Sequence, residues 1–276
     1  MPFPSSQRLY LLVSLGIFLV GFSSATAETT GWLQSTPSPD RYWQATLGGE
    51  WDFLSDEGPP LNGTDWQEVH YSIGYVDKSR FALIFSHRIP ARTSQFDQVL
   101  GLEGYLKVYG PLWLRGLVAP SPDHDFVYRV RTDAELELYL RNLSFGAGYY
   151  FLKYNTTDIH TITPFVRFYW RNLQLDFRYL NIFETAADKH FNAFSVRLQN
   201  DFDDRWVRPF VGTAVGSRIF GILSLQGSPS QDGFLVYGGN RFGLTPRLDW
   251  TLYVSFAREN PAFEYIGLGT EVGLKF

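Results

Sequence analysis

The stretch from Tyr265 to Phe276 alternates almost without a break. Ile266, Leu268, Val272, Leu274 and Phe276 fall on one side, and Gly267, Gly269, Glu271, Gly273 and Lys275 on the other. Side chains of a β-strand change face at every residue, so this segment is apolar on one face only. The pattern recurs along the chain. Between Phe126 and Leu140, Phe126, Tyr128, Val130, Leu136, Leu138 and Leu140 interleave with Arg129, Arg131, Asp133, Glu135 and Glu137. A soluble sheet does not bury a row of charges, whereas a strand with lipid outside and water inside requires this arrangement.

Fourteen such segments are predicted, near 43–53, 66–76, 80–89, 96–107, 112–119, 126–140, 143–154, 159–170, 173–182, 191–199, 206–215, 234–242, 247–257 and 265–276. Short connections (Asp77-Lys78, Tyr109-Gly110-Pro111, Arg141-Asn142, Arg171-Asn172, Leu244-Thr245-Pro246) alternate with longer ones, such as Leu54 to Asp65 and Ser217 to Gly233. Short turns on one side and long loops on the other match outer-membrane barrels. The expected fold is all-β: a transmembrane antiparallel up-and-down barrel of about 14 strands, with 12 or 16 as neighbouring solutions. A closing aromatic such as Phe276 is the membrane-assembly signal of such barrels.

Upstream, Arg8 precedes the apolar run Leu9 to Phe22, and Ala25-Thr26-Ala27 supplies a cleavage site. Residues 1–27 therefore read as a secretory signal peptide, 28–42 as an N-terminal periplasmic segment and 43–276 as the barrel. A mean hydropathy of −0.14 alone suggests a soluble chain, but 17% aromatic content and the absence of cysteine fit a wall held by backbone pairing rather than disulfides. The formal charge of −4, or −5 once the +1 of Arg8 is removed, argues against nucleic acid.

Parity assigns the charged residues to the lumen. The predicted lining and constriction comprises Arg88, Glu103, Arg115, Arg129, Arg131, Asp133, Glu135, Glu137, Arg167, Asp176, Arg178, Arg197 and Arg208. Glu50, Asp52, Glu68, Asp97, Asp249 and Glu271 share that face. Such residues either brace the interior as ion pairs or form a polar constriction that selects solutes. The inward Tyr150, Phe165, Tyr169 and Tyr253 offer stacking faces for sugar rings.

Catalytic signals are weak. Ser86 and His87 are neighbours and fall on opposite faces; Glu68, His70 and Ser72 share a face but form a single row with no oxyanion hole. Asp123-His124-Asp125 reads as a solvated loop, and no metal or cofactor is expected. The chain is expected not to be an enzyme.

From Trp43 to Phe276 the order of segments resembles the YaiO family of outer-membrane β-barrels. Asn192-Ala193-Phe194-Ser195-Val196-Arg197-Leu198, Gly148-Tyr149-Tyr150 with Lys153-Tyr154, and Leu274-Lys275-Phe276 carry the likeness. The resemblance implies a monomeric barrel in the bacterial outer membrane and a link to polysaccharide export. It carries over no catalytic or ligand residues. The partners to expect are outer-membrane lipid and lipopolysaccharide, the barrel-assembly machinery and a saccharide solute. The reading is a charge-lined passage for a hydrophilic solute. A closed structural or surface-interaction barrel and a lipid-modifying enzyme are the alternatives.

Overall fold

The computed structural model describes residues 40–55, 66–92, 95–200, 207–217, 232–260 and 263–276. The signal peptide, most of the periplasmic segment, the acidic turn Asp201 to Asp204 and the apolar middle of the 217–233 connection lie outside the described residues.

The strands are β1 (Arg41–Ser55), β2 (Trp66–Asp77), β3 (Phe81–Arg92), β4 (Gln95–Phe96), β5 (Val99–Tyr109), β6 (Leu112–Pro120), β7 (Val130–Leu140), β8 (Leu143–Lys153), β9 (Asp158–Trp170), β10 (Leu173–Glu184), β11 (Lys189–Asn200), β12 (Val207–Ser217), β13 (Asp232–Thr245), β14 (Leu248–Asn260) and β15 (Phe263–Lys275). β4 is a two-residue extension paired only to the end of β3, so fourteen strands form the wall. Each pairs antiparallel with its neighbour in the chain, and β1 pairs with β15 from Gln44↔Lys275 to Ser55↔Glu264. The barrel is closed. It must be, because an unpaired backbone N–H or C=O in hydrocarbon costs several kcal/mol.

The predicted parity holds along the strands. Leu83, Ile162, Phe194, Val254 and Leu268 are exposed, whereas Gln44, Glu68, Asp133, Glu135, Thr163 and Asp176 are buried. The outer face is apolar because lipid is its solvent. Its few polar groups are paired across strands: Tyr71 OH lies 2.8 Å from His87 Nδ1, and Tyr149 OH lies 2.7 Å from His160 Nδ1. Such pairing offsets the cost of placing an imidazole or phenol against hydrocarbon.

Three tight turns share one device. Gly110, Arg141 and Arg171, each the first residue after its strand, sit at φ 52°, 52° and 55°. Primed hairpin turns require this sign. Glycine adopts it freely, whereas an L side chain in the left-handed region costs roughly 1–2 kcal/mol. These turns share the edge of the barrel with Trp43 and Phe276, the periplasmic edge by the rule of short turns.

Two strand predictions need correction. The segment predicted from Phe126 becomes a strand only at Val130, and the one predicted from Phe96 starts at Val99. The cause is Asp97, fully buried, whose carboxylate accepts the backbone N–H groups of Asp125, Phe126 and Val127 at 2.9, 3.0 and 2.8 Å. Those N–H groups are thereby withdrawn from strand pairing and the 121–129 connection folds as a compact extracellular loop. Asp97 is a loop clamp, not a lumen residue.

Candidate functional site: the lumen wall

The inner faces of β5 to β10 carry a continuous belt of opposite charges. Arg115 Nε on β6 donates to Glu103 Oε1 on β5 at 2.5 Å, and its Nη1 reaches Glu135 Oε1 on β7 at 3.2 Å. Arg178 Nη1 on β10 reaches the same Glu135 oxygen at 3.0 Å and the Tyr150 hydroxyl on β8 at 2.9 Å; Tyr150 in turn donates to Glu135. Arg167 on β9 donates from Nε to Asp176 Oδ2 at 2.5 Å and from Nη1 to Glu137 Oε2 at 2.6 Å. Arg178 Nε closes the belt on Asp176 Oδ1 at 3.1 Å. Phe165 lies beneath, with the Arg167 and Arg178 guanidinium carbons both 4.6 Å from its ring centre. Planar, permanently charged guanidinium suits this shared bonding better than a lysine ammonium would.

Packing along the belt is tight. Arg167 is 1% exposed, and the void bounded by Tyr105, Trp113, Arg115, Glu135, Glu137 and Tyr139 measures about 10 Å³, room for one water at most. Accessible charge remains at the side chains of Arg88, Glu103, Arg178 and Arg115, which are 25%, 16%, 15% and 12% exposed. Nearer the extracellular end, Arg131 grips Asp133 through Nε at 2.9 Å and Nη2 at 2.6 Å, and Arg88 grips Glu68 at 2.8 and 2.6 Å. At the periplasmic end, Asp249 is held by Arg208 and by Lys275 Nζ at 3.2 Å.

The opposite wall, β12 to β15 with β1, adds shape to the Arg208–Asp249–Lys275 cluster. Gly212 leaves room for the Tyr237 side chain, and Gly269 for the Tyr253 ring; a Cβ at either glycine would fall inside van der Waals contact of that tyrosine. Arg197 on β11 places its guanidinium 5.3 Å from the Phe210 ring centre.

Twelve of the thirteen predicted lining residues therefore lie on inward strand positions. Arg129 is the exception: it is exposed and precedes β7, although its N–H still bonds to Lys153 O at 2.7 Å and its C=O accepts from Ser121 N–H at 2.8 Å. Three of the four proposed stacking rings are committed elsewhere. Phe165 is covered by the two arginines, Tyr169 stacks on Tyr139 with centroids 6.2 Å apart, and Tyr150 is bonded to Glu135. Tyr105, inward and outside the predicted lining, donates its hydroxyl to Glu103 at 2.6 Å; its position two residues from Glu103 is the signal that places it there.

The Glu68, His70, Ser72 row does not assemble into a relay. Glu68 Oε1 lies 3.5 Å from His70 Nδ1, but the carboxylate is engaged by Nε and Nη2 of Arg88, and Ser72 Oγ shares a 2.6 Å bond with Thr46 Oγ1. His87 faces outward to Tyr71, away from Ser86. Asp123 accepts from Gln98 Nε2 at 3.0 Å within an open extracellular cleft of about 520 Å³. Phe276 faces outward and exchanges two backbone bonds with Trp43, at 2.8 and 2.9 Å.

No protein-family model matches the sequence, and no curated protein matches it. Solved structures do. A bacterial polysaccharide outer membrane secretin superposes with a TM-score of 0.53 at 10% identity, over 86% of this chain and 98% of its own. The CymD monoaromatic hydrocarbon channel gives 0.53 at 8% identity, over 84% and 88%. Omp33 of Acinetobacter baumannii gives 0.50 at 16% identity, over 85% and 99%. At such identities the likeness is one of fold. Together with the lipid-facing exterior and the closed wall, it makes this chain a β-barrel of the bacterial outer membrane.

Proposed function

We propose that the barrel gives a hydrophilic solute a narrow, charge-lined passage across the outer membrane. The observation that carries this reading is the belt from β5 to β10, with partly open charges at Glu103, Arg115 and Arg178, and at Arg88 on β3, rather than an apolar plug. Such a lining replaces the solute's water shell with donors and acceptors while restricting size. In its narrower form the reading takes a saccharide as cargo and places the chain beside the YaiO-type barrels, as the stretch Asn192 to Leu198 suggests. The barrel works as a monomer, with Phe276 read by the assembly machinery and lipopolysaccharide around its outer end. It carries out no catalysis in this reading, and Ser72 supports that by bonding to Thr46 rather than to a base.

The deep burial of Arg131, Glu137 and Arg167 favours a second reading, a barrel whose pairs shut the bore. Planar-bilayer recordings and liposome swelling with sugars of graded size separate the two. Passage predicts small unitary currents and a sharp size limit that widens in Arg178→Ala. Silence in both assays, for the native barrel and for Arg178→Ala, would leave the closed barrel standing.

A further inference from the structure

We infer that the periplasmic rim is a binding surface for anionic phospholipid head groups, of the phosphatidylglycerol type. Four basic residues stand exposed at its tight turns: Arg80 between β2 and β3, Arg141 between β7 and β8, Arg171 between β9 and β10, and Arg247 between β13 and β14. None of the four makes an ion pair with a described carboxylate. Of the described acids on this edge, Asp77 is engaged by Arg41 at 2.9 Å and by Ser79, and Asp40 stands exposed with its C=O bonded to Lys78 N–H.

Backbone conformation is the second observation. Arg141 and Arg171 occupy the left-handed region, and each is followed by asparagine, a residue that tolerates this region better. Turn geometry alone therefore does not account for arginine at these positions; their charge does. The third observation is placement. The Arg171 guanidinium lies 5.5 Å from the ring centre of Trp170, an outward tryptophan 65% exposed, and Trp43, Tyr109 and Trp250 also face out along this edge. Basic groups beside an interfacial aromatic girdle lie at the depth of lipid phosphates. The charges are spread over turns from β2 to β14, around much of the circumference. A protein partner would need them in one sector, whereas an annulus of lipid meets them all.

The test needs no assumption about the bore. The full barrel is placed in nanodiscs of mixed phosphatidylcholine and phosphatidylglycerol, and retained lipid is measured by native mass spectrometry across a salt series. Phosphatidylglycerol should be enriched several-fold, and the enrichment should fall with salt. It should disappear in a variant carrying Arg80→Gln, Arg141→Gly, Arg171→Gly and Arg247→Gln, and survive Arg141→Lys with Arg171→Lys. The two glycine substitutions relieve left-handed backbone, so their unfolding midpoint should be equal or higher, which separates lost binding from lost folding. As a control, Arg129→Gln with Lys153→Gln on the extracellular side should leave the enrichment intact. Equal retention of both lipids by the native barrel, or enrichment that persists in the fourfold variant, would overturn the proposal.

Discussion

The two halves of the wall fill one interior with different emphasis. From β5 to β10, guanidinium and carboxylate groups are laced across as many as three strands, as in the bond from Arg178 on β10 to Glu135 on β7. From β12 through β15 to β1, beside the smaller Arg208–Asp249–Lys275 cluster, glycines receive the tyrosines of neighbouring strands, Tyr237 beside Gly212 and Tyr253 against Gly269. Charge lacing holds only while every member is present, since a deleted partner strands a buried ion. Ring-on-glycine packing holds only while the small position stays small. The same barrel should therefore be fragile to deletion on one side and to insertion on the other.

The largest expected effect is Arg167→Met, which leaves Glu137 and Asp176 buried without their main counter-charge. Equilibrium unfolding in detergent or lipid should show a loss of about 3–5 kcal/mol. Replacing Arg167, Glu137 and Asp176 together by apolar residues of similar volume should recover most of it. A loss as large in the triple variant would show that packing, not charge, sets the stability of this half. Next is Gly269→Val, expected to cost about 1–3 kcal/mol through collision with Tyr253. Tyr253→Ala in the same chain should restore part of the loss, and strict additivity would break the proposed ring-on-glycine coupling. Arg178→Gln removes one cationic edge of the bore, so reversal potentials in a salt gradient should move several-fold toward cation preference. Smallest is Tyr237→Phe, expected to change stability by about 1 kcal/mol or less because the ring, which lies as close to Gly212 as the hydroxyl does, stays in place. A larger loss would place that half among the hydrogen-bonded ones.

Much of this was legible in the sequence because a strand has one simple period. Parity alone placed Glu135, Glu137, Arg167, Asp176 and Arg178 inside, and the turn chemistry located Arg141-Asn142 and Arg171-Asn172. The choice of partner was not legible. Whether Arg178 meets Glu135 depends on the stagger accumulated over β8 and β9, which no local pattern records. The strand stops short of Phe126 because one side chain distant in sequence, Asp97, takes the N–H groups of residues 125 to 127; Arg129, beyond them, still bonds through its N–H to Lys153 O and accepts from Ser121 N–H. The glycines at 267 and 269 were seen to point inward, but the ring occupying the space beside Gly269 belongs to another strand.

The seam between β1 and β15 sets the order of assembly. Among the wall strands, every other pair is adjacent along the chain, whereas Gln44 meets Lys275 across most of it. Local hairpins can zip in succession as each new strand arrives, but the seam can lock only after the rest of the sheet has curled. Until then two raw borders exist at once, and hydrocarbon tolerates neither. The reciprocal bonds of Trp43 with Phe276 can form only when those borders meet, so they mark the end of closure.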